Sequence, residues 1–177
     1  MNDLDNIIYV ADVLALAKYT SNSKIYTTNN IIDEVKLNEY KTKELRISLI
    51  DSKIKKGEII IKEPKKQFLQ EAKNIAVKTG DLKVMSEADI SLVALSIELD
   101  RKEHRVMVLS DDFAIQNICN EIGMSVLNIV GQKIKKTIKW KNKCILCNKK
   151  FPNDYKDKDC NYCGNIIIRK PICKNDA

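Results

Sequence analysis

Cys144-Ile145-Leu146-Cys147 and Cys160-Asn161-Tyr162-Cys163 stand twelve residues apart, and a doubled CxxC of this kind can bring four thiolates to one point. Four thiolates suit Zn²⁺, which takes a closed tetrahedral shell of sulfur when its role is structural. The spacing predicts a short ribbon hairpin holding one structural Zn²⁺ through Cys144, Cys147, Cys160 and Cys163. Two disulfides or free thiols are the alternatives. A chain opening MNDLDNIIYV, with no basic segment leading into an apolar run, does not favour the oxidising compartment that disulfides need. Cys119 falls in an apolar helical pattern and reads as a small buried hydrophobe, while Cys173 lies in the tail outside the tetrad.

The second group able to do chemistry is acidic. Asp12 follows the apolar run Ile7–Val10, and Asp111 and Asp112 follow Arg105–Leu109 through Ser110. Glu34 lies one turn into the helix after a second strand, and Asp89 one turn into the helix that Ser86 opens. In an open parallel sheet, ligands bind beyond the carboxyl ends of the strands, so these passages converge on one place. Carboxylates gathered there repel each other unless a cation joins them. Oxygen-only donors suit Mg²⁺ or Mn²⁺, which activate water and stabilise the leaving oxygen of a phosphodiester. Each acid also has a structural use. Ser86-Glu87-Ala88-Asp89 fits a capping box, and Asp111 and Asp112 sit where a first helical turn prefers negative charge. Asp33 reads as the cap of the helix starting at Asn30, which leaves Glu34 without such a role. Asp12 has the least structural excuse, because it interrupts the apolar stretch IIYVADVLALA, where a charge is costly to bury.

The elements that must position these groups follow from periodicity. The chain has 177 residues, 44% hydrophobic and 31% charged, enough for one ordinary domain and a small one. Ile7–Val10, Lys24–Thr28, Glu58–Lys62, Arg105–Leu109 and Ser125–Ile129 read as strands. Asn30 to about Lys56 reads as one long helix, with Ile31, Val35, Leu45, Leu49 and Ile50 among its apolar positions. Lys65–Thr79, Ser86–Arg101 and Asp111–Ile122 read as further helices, the first behind Pro64 and closed by Gly80. Alternating strands and helices predict an α/β domain, a parallel sheet covered on both faces, over 1–130. A basic linker follows over 131–143, and the four-cysteine ribbon occupies 144–177.

Charge divides along the same lines. Residues 131–177 carry thirteen Lys and Arg against four Asp and Glu, a formal +9, whereas residues 1–130 carry eighteen against twenty. Lys133, Lys135, Lys136, Lys139, Lys141, Lys143, Lys149 and Lys150 surround the lone Trp140. Such a patch attracts phosphodiester backbones with little regard to sequence, and Lys139, Trp140, Lys141, Lys143, Lys149 and Lys150 are its candidate contacts. The alternative is a Lys-rich linker kept for solubility. No apolar stretch approaches membrane-spanning length, so the expectation is a cytoplasmic protein without a membrane partner. A single histidine, His104, excludes a paired-histidine nuclease and a Ser-His-Asp hydrolase that relies on two or more histidines. Among 5 glycines there is neither a Walker-type nor a GxGxxG pattern.

Val10-Ala11-Asp12 with Leu14-Ala15-Leu16, then Ile31-Ile32-Asp33-Glu34-Val35, resembles the opening of a PIN-domain nuclease. Ser86 to Leu95 (SEADISLVAL) resembles that family's third-acid helix, and Leu109-Ser110-Asp111-Asp112-Phe113-Ala114-Ile115-Gln116-Asn117 its fourth motif. A four-cysteine ribbon directly after such a domain is similar to the archaeal and eukaryotic Nin-one-binding (NOB) endonucleases of ribosome biogenesis. The lack of long insertions favours an archaeal form. The resemblance implies a PIN-like fold and a metal-dependent endoribonuclease. Its substrate would be the 3′ end of precursor small-subunit rRNA in a pre-ribosomal particle, cut to leave 5′-phosphate and 3′-hydroxyl ends. Asp12, Glu34, Asp89 and Asp112 would hold Mg²⁺ or Mn²⁺, with Asp111 auxiliary. Ser110 stands where the family often has Thr, a hydroxyl placed to support a carboxylate, and Val13 stands where a small hydroxylated residue is common. Two rivals remain: a toxin-like PIN ribonuclease of tRNA or mRNA, which generally lacks a ribbon, and a non-catalytic RNA- or ribosome-binding assembly module.

Overall fold

The computed structural model describes residues 7–19, 24–37, 43–103, 105–134 and 136–172, so His104, Lys135 and Cys173 lie outside the described residues. Five short apolar runs, most of them rich in Ile and Val, form one sheet: β1 (Ile8–Ala11), β2 (Ile25–Thr27), β3 (Ile59–Ile61), β4 (Val106–Leu109) and β5 (Ser125–Leu127). Every pairing in it is parallel, and the strand order is β3-β2-β1-β4-β5. The chain builds outward from β1 in one direction and from β4 in the other. The order therefore reverses between β1 and β4, where a doubly wound sheet opens its crevice.

Among the described residues six helices accompany the sheet: α1 (Val13–Lys18), α2 (Asn29–Leu37), α3 (Lys43–Lys55), α4 (Lys66–Thr79), α5 (Glu87–Glu103) and α6 (Phe113–Glu121), with a 3₁₀ turn at Leu82–Val84. The predicted parallel α/β architecture is the one the chain adopts. At its centre α5 packs against α2, α4, α6, β1 and β4. Leu92, Val93, Ala94 and Leu95 are all fully buried, so this helix is covered nearly all round, which explains why its sequence lacks a polar stripe. Glu98 is buried on it too. Its carboxylate accepts the Lys65 amide at the start of α4 (2.8 Å) and the Lys102 ammonium (3.0 Å).

Two expectations are corrected. The single long helix from Asn30 is two helices, α2 and α3, packed against each other. Leu45 and Leu49 continued the apolar rhythm of α2 on paper, yet both are exposed. The buried side of α3 is instead Ile50, with Ile47 and Ile54 packed against the core. Asp33 does not cap α2, because the helix begins four residues earlier. Asp33 pairs with Lys36 on the surface, and the Asn29 amide donates to Glu63 beyond the end of β3 (2.8 Å).

The ribbon sheet consists of β6 (Trp140–Cys144), β7 (Lys150–Phe151) and β8 (Ile167–Pro171), antiparallel in the order β7-β6-β8. It starts at Trp140, four residues before the first cysteine of the tetrad. The stretch before it is pinned to α6: the Ile134 amide donates to Gln116 Oε1, the Ile138 amide to Asn117 Oδ1, and the Asn120 amide group to the Ile134 carbonyl. The ribbon then docks at the end of α4. There the Arg169 guanidinium pairs with buried Asp81 and donates to the Gly80 carbonyl, and Asn153 donates to the Val77 carbonyl. Gly80 ends α4 at φ +82, and a Cβ on it would lie 2.8 Å from both the Cβ and the carbonyl oxygen of Trp140. No helix among the described residues is long and apolar enough to cross a membrane.

Candidate metal centres and nucleic-acid interface

Asp12 is the first residue past β1, and Ser110, Asp111 and Asp112 are the first three past β4, so both groups arrive at the reversal of strand order. The structural use that the sequence did not offer for Asp12 is present: its Oδ1 accepts the Ala15 amide (3.0 Å) and caps α1. Asp112 caps α6, taking the Ala114 and Ile115 amides on Oδ1 alone (2.6 and 3.2 Å). Asp89 and Ser86 form the predicted capping box, with Ser86 N–H donating to Asp89 Oδ2 (2.8 Å) and Asp89 N–H to Ser86 Oγ (3.1 Å). A carboxylate has about four lone-pair positions, so one or two amides leave room for a cation.

Two hydroxyls tie these acids into pairs. Buried Ser110 accepts the Asp112 amide (3.1 Å), and its hydroxyl also acts on Asp12, favouring the charged carboxylate, so it stands between the end of β1 and the start of α6. It supplies the hydroxyl support that Val13 cannot. Ser86 completes the box with Asp89, and its hydroxyl also acts on Glu34, favouring the charged carboxylate. The sequence named Ser86 only as a cap, since a contact between α2 and the start of α5 has no local signal.

Burial raises Asp12 above the ordinary aspartate range, against its bonds to Ser110 and Ala15, and the Asp111 charge adds to the rise. Burial likewise raises Glu34, with the charges of Asp89 and Asp12 acting in the same direction. Asp89 is raised by burial and further by Asp112. The four acids are thus electrostatically one group, and their mutual repulsion is what a divalent cation would relieve. Asp111 differs. Its carboxylate accepts the amides of Ile129, Val130 and Gly131 at 2.9 to 3.2 Å, and against burial these amides and Lys18 hold it below the usual range. Its oxygens are committed to the turn after β5.

Among the described residues, Cys144, Cys147, Cys160 and Cys163 form the one group of potential metal ligands whose donor atoms all lie within 4.8 Å of one another. Uncompensated carboxylates have no reason to close so tightly. The Cys144–Cys163 and Cys147–Cys160 sulfurs are 3.5 Å apart, far beyond a disulfide and near the roughly 3.8 Å edge of a zinc–sulfur tetrahedron. Against burial, the amides of Cys147 and Leu146 and the neighbouring thiols bring Cys144 down to about 6. The Lys149 amide favours the Cys147 thiolate, but burial and the three adjacent sulfurs push it up to about 12. Four thiols this close cannot all ionise without a cation among them.

The basic residues are divided by the alternation of β6. Asn142 and Cys144 are buried on one face, with Trp140 half-buried beside them, and the Arg169 guanidinium lies 4.1 Å over the Trp140 ring. Lys141 and Lys143 take the other face. Opposite them in the register stand Lys170 and Lys150, so four lysines share one side of a three-stranded sheet. Lys139 is exposed just before β6, and the Lys149 ammonium lies over the Tyr162 ring. Lys170 went unnoticed in the sequence because its partner Lys141 is remote along the chain.

Residues 9–99 match a family described as the PIN domain of ribonuclease. The chain is similar to the protein named Endoribonuclease Nob1 of Pyrococcus abyssi, with 38% identity over 142 residues covering 80% of this chain and 81% of that protein. It is similar to Endoribonuclease Nob1 of Methanothermobacter thermautotrophicus, with 23% identity over 94% of this chain and 96% of that one. It is also similar to the 20S-pre-rRNA D-site endonuclease NOB1 of Saccharomyces cerevisiae, with 31% identity over 49% of this chain and 18% of the yeast protein.

Proposed function

The chain belongs to the PIN-domain ribonucleases and, within them, to the Nob1 endoribonucleases, and we propose that it cuts precursor small-subunit rRNA near its 3′ end using Mg²⁺ or Mn²⁺. The observation that carries this reading is the electrostatic coupling of four acids, Asp12 and Asp112 at the reversal of strand order with Glu34 and Asp89 beside them, each pair sharing a serine hydroxyl. An all-oxygen donor set, with Asp12, Asp89 and Asp112 at helix starts and Glu34 within α2, fits a hard divalent ion. Asp12, Glu34, Asp89 and Asp112 would hold it, while Asp111 keeps the 129–131 turn in place. Such an ion, when bound, supplies positive charge at the scissile phosphate and acidifies water.

The protein's own part is positioning. Ser110 orients Asp12, Ser86 orients Glu34, and the caps of α1 and α6 fix the backbone of two acids against the sheet. The four cysteines would hold one structural Zn²⁺, and the face of Lys141, Lys143, Lys150 and Lys170 would grip the RNA backbone. We place this work in the cytoplasm, on RNA within a pre-ribosomal particle, where reduced thiolates persist.

The test is cutting of an RNA that spans a small-subunit rRNA 3′ end, with and without Mn²⁺, by wild type, Asp12→Asn and Asp12→Ala. Asn keeps an oxygen for the Ala15 amide, so Asp12→Asn is expected to fold like wild type and cut nothing. Asp12→Ala should lose cutting and also about 1 kcal/mol of stability through the missing cap. Cutting that survives in Asp12→Asn, or without divalent ions, sinks the reading. Tight binding with no cutting by wild type would favour an assembly module.

A further inference from the structure

A cleft of about 420 Å³ lies in the seam between the α/β domain and the docked ribbon, with Asp112 in its wall. Phe113, the next residue, lines it while 58% exposed. The residues that follow in α6 are buried, so Phe113 is the part of this helix start left out of the core. Val84, 55% exposed, and Ile138 give the cleft further apolar surface, and the stacked Trp140–Arg169 pair contributes from the ribbon.

Apart from Asp112, the polar side chains lining this wall are already engaged. Asn117 donates to Asp81 and to the Ile138 carbonyl and accepts the Ile138 amide, and Arg169 is engaged with Asp81 and the Gly80 carbonyl. What remains is flat and apolar: an exposed phenyl ring, aliphatic surface and a guanidinium plane. Exposed Lys83 precedes Val84 and exposed Lys139 precedes Trp140, which adds positive charge next to the lining residues. A ligand that is planar, uncharged in the middle and anionic at either side matches these walls, and a nucleotide within a chain is such a ligand.

We propose that this cleft holds an unpaired nucleobase of the substrate RNA, beside the phosphate presented to Asp112, with Phe113 as its stacking face. The inference rests on the ribonuclease reading above. It adds that the base is held by stacking and not by its edge, since Asn117, Asp81 and Arg169 in the wall already engage one another and the backbone. It also makes ribbon docking part of substrate binding, because one wall of the cleft is Trp140 and Arg169.

The test uses the full-length Asp12→Asn protein with its ribbon metal retained and no added Mg²⁺ or Mn²⁺, so that RNA binds uncut. Single-stranded RNA oligomers spanning a small-subunit rRNA 3′ end carry one 2-aminopurine, moved one position at a time. Quenching severalfold stronger at one position is expected. Phe113→Ala and Phe113→Leu should abolish that quenching and weaken binding about tenfold, the scale of one lost stack, while Phe113→Tyr restores both. Unchanged melting temperatures would show that the exposed ring is not needed for folding. Binding and quenching by Phe113→Leu equal to the parent overturn the inference, as does uniform quenching at every position; either would leave the exposed ring to a protein partner. If wild type neither binds nor cuts RNA, the ribonuclease reading falls and this inference with it.

Discussion

A half-buried aspartate at a helix N-terminus serves two masters, since the helix wants its negative charge and the surrounding apolar atoms do not. In Asp12 the second effect wins. Burial outweighs the Ala15 amide and the Ser110 hydroxyl, and the folded protein holds its proton to higher pH than the unfolded chain does. The sign follows from linkage: a carboxylate raised on folding contributes destabilisation that grows as pH climbs from the ordinary aspartate range through the raised value. Without divalent ions, Asp12→Asn should therefore be more stable than wild type at pH 7.5, and the gap should shrink towards pH 4. Urea unfolding at several pH values in divalent-free buffer measures this. A gap that does not change with pH would mean that Asp12 ionisation carries no strain. The stabilised variant is the one expected to have lost function, the usual trade at a strained site.

At the scale of elements, the end of α4 has two tasks. Gly80 must take a left-handed conformation to reach the Ala76 and Val77 carbonyls with its amide, and it must leave room for the Trp140 backbone of the docked ribbon. Gly80→Ala meets both obstacles: a left-handed L-residue costs about 1–2 kcal/mol, and the new Cβ would stand 2.8 Å from Trp140. The expected result is a loss of that order in stability together with faster proteolysis across the Lys-rich segment 131–139, whose hydrogen bonds to Gln116 and Asn117 depend on the same dock. Unaltered protection of that segment would show that α6 alone holds it. The segment reads as a linker by composition, and lysines in a row give no hint of being tied down. The tie comes from Gln116, Asn117 and Asn120, polar residues set among the apolar positions of α6.

For the molecule as a whole, the ribbon presents a face that works against its own stability. Lys141 faces Lys170 and Lys143 faces Lys150 across the strands, and like charges in direct opposition cost a few tenths of a kcal/mol each. Lysines kept only for solubility would not need to be opposed in this way. The double variant Lys141→Ala, Lys170→Ala should melt no lower than wild type, yet bind RNA less tightly. The slope of log affinity against log salt should be shallower by roughly 1.5, near two lost phosphate contacts. An unchanged slope would move the RNA grip elsewhere on the surface.

By itself the sequence determined the alternation of strands and helices, the four-cysteine ribbon and the acids at the strand ends. Those follow from periodicity, from cysteine spacing and from the rule that chemistry gathers where a parallel strand turns into a helix, all of them local or short-range signals. The division into α2 and α3 was not legible, because Leu45, Leu49 and Ile50 all kept the apolar rhythm, yet of the three the core took only Ile50. Only the tertiary structure decided that Ser110 joins Asp12 to Asp112, that Ser86 joins Glu34 to Asp89, and that Asp111 is committed to the 129–131 turn. Only it seated Arg169 between Trp140 and Asp81 and so opened a cleft beside Asp112. Each of these is a contact between residues far apart in the chain, chosen by packing of the whole, and no window of sequence contains the energy that selects it.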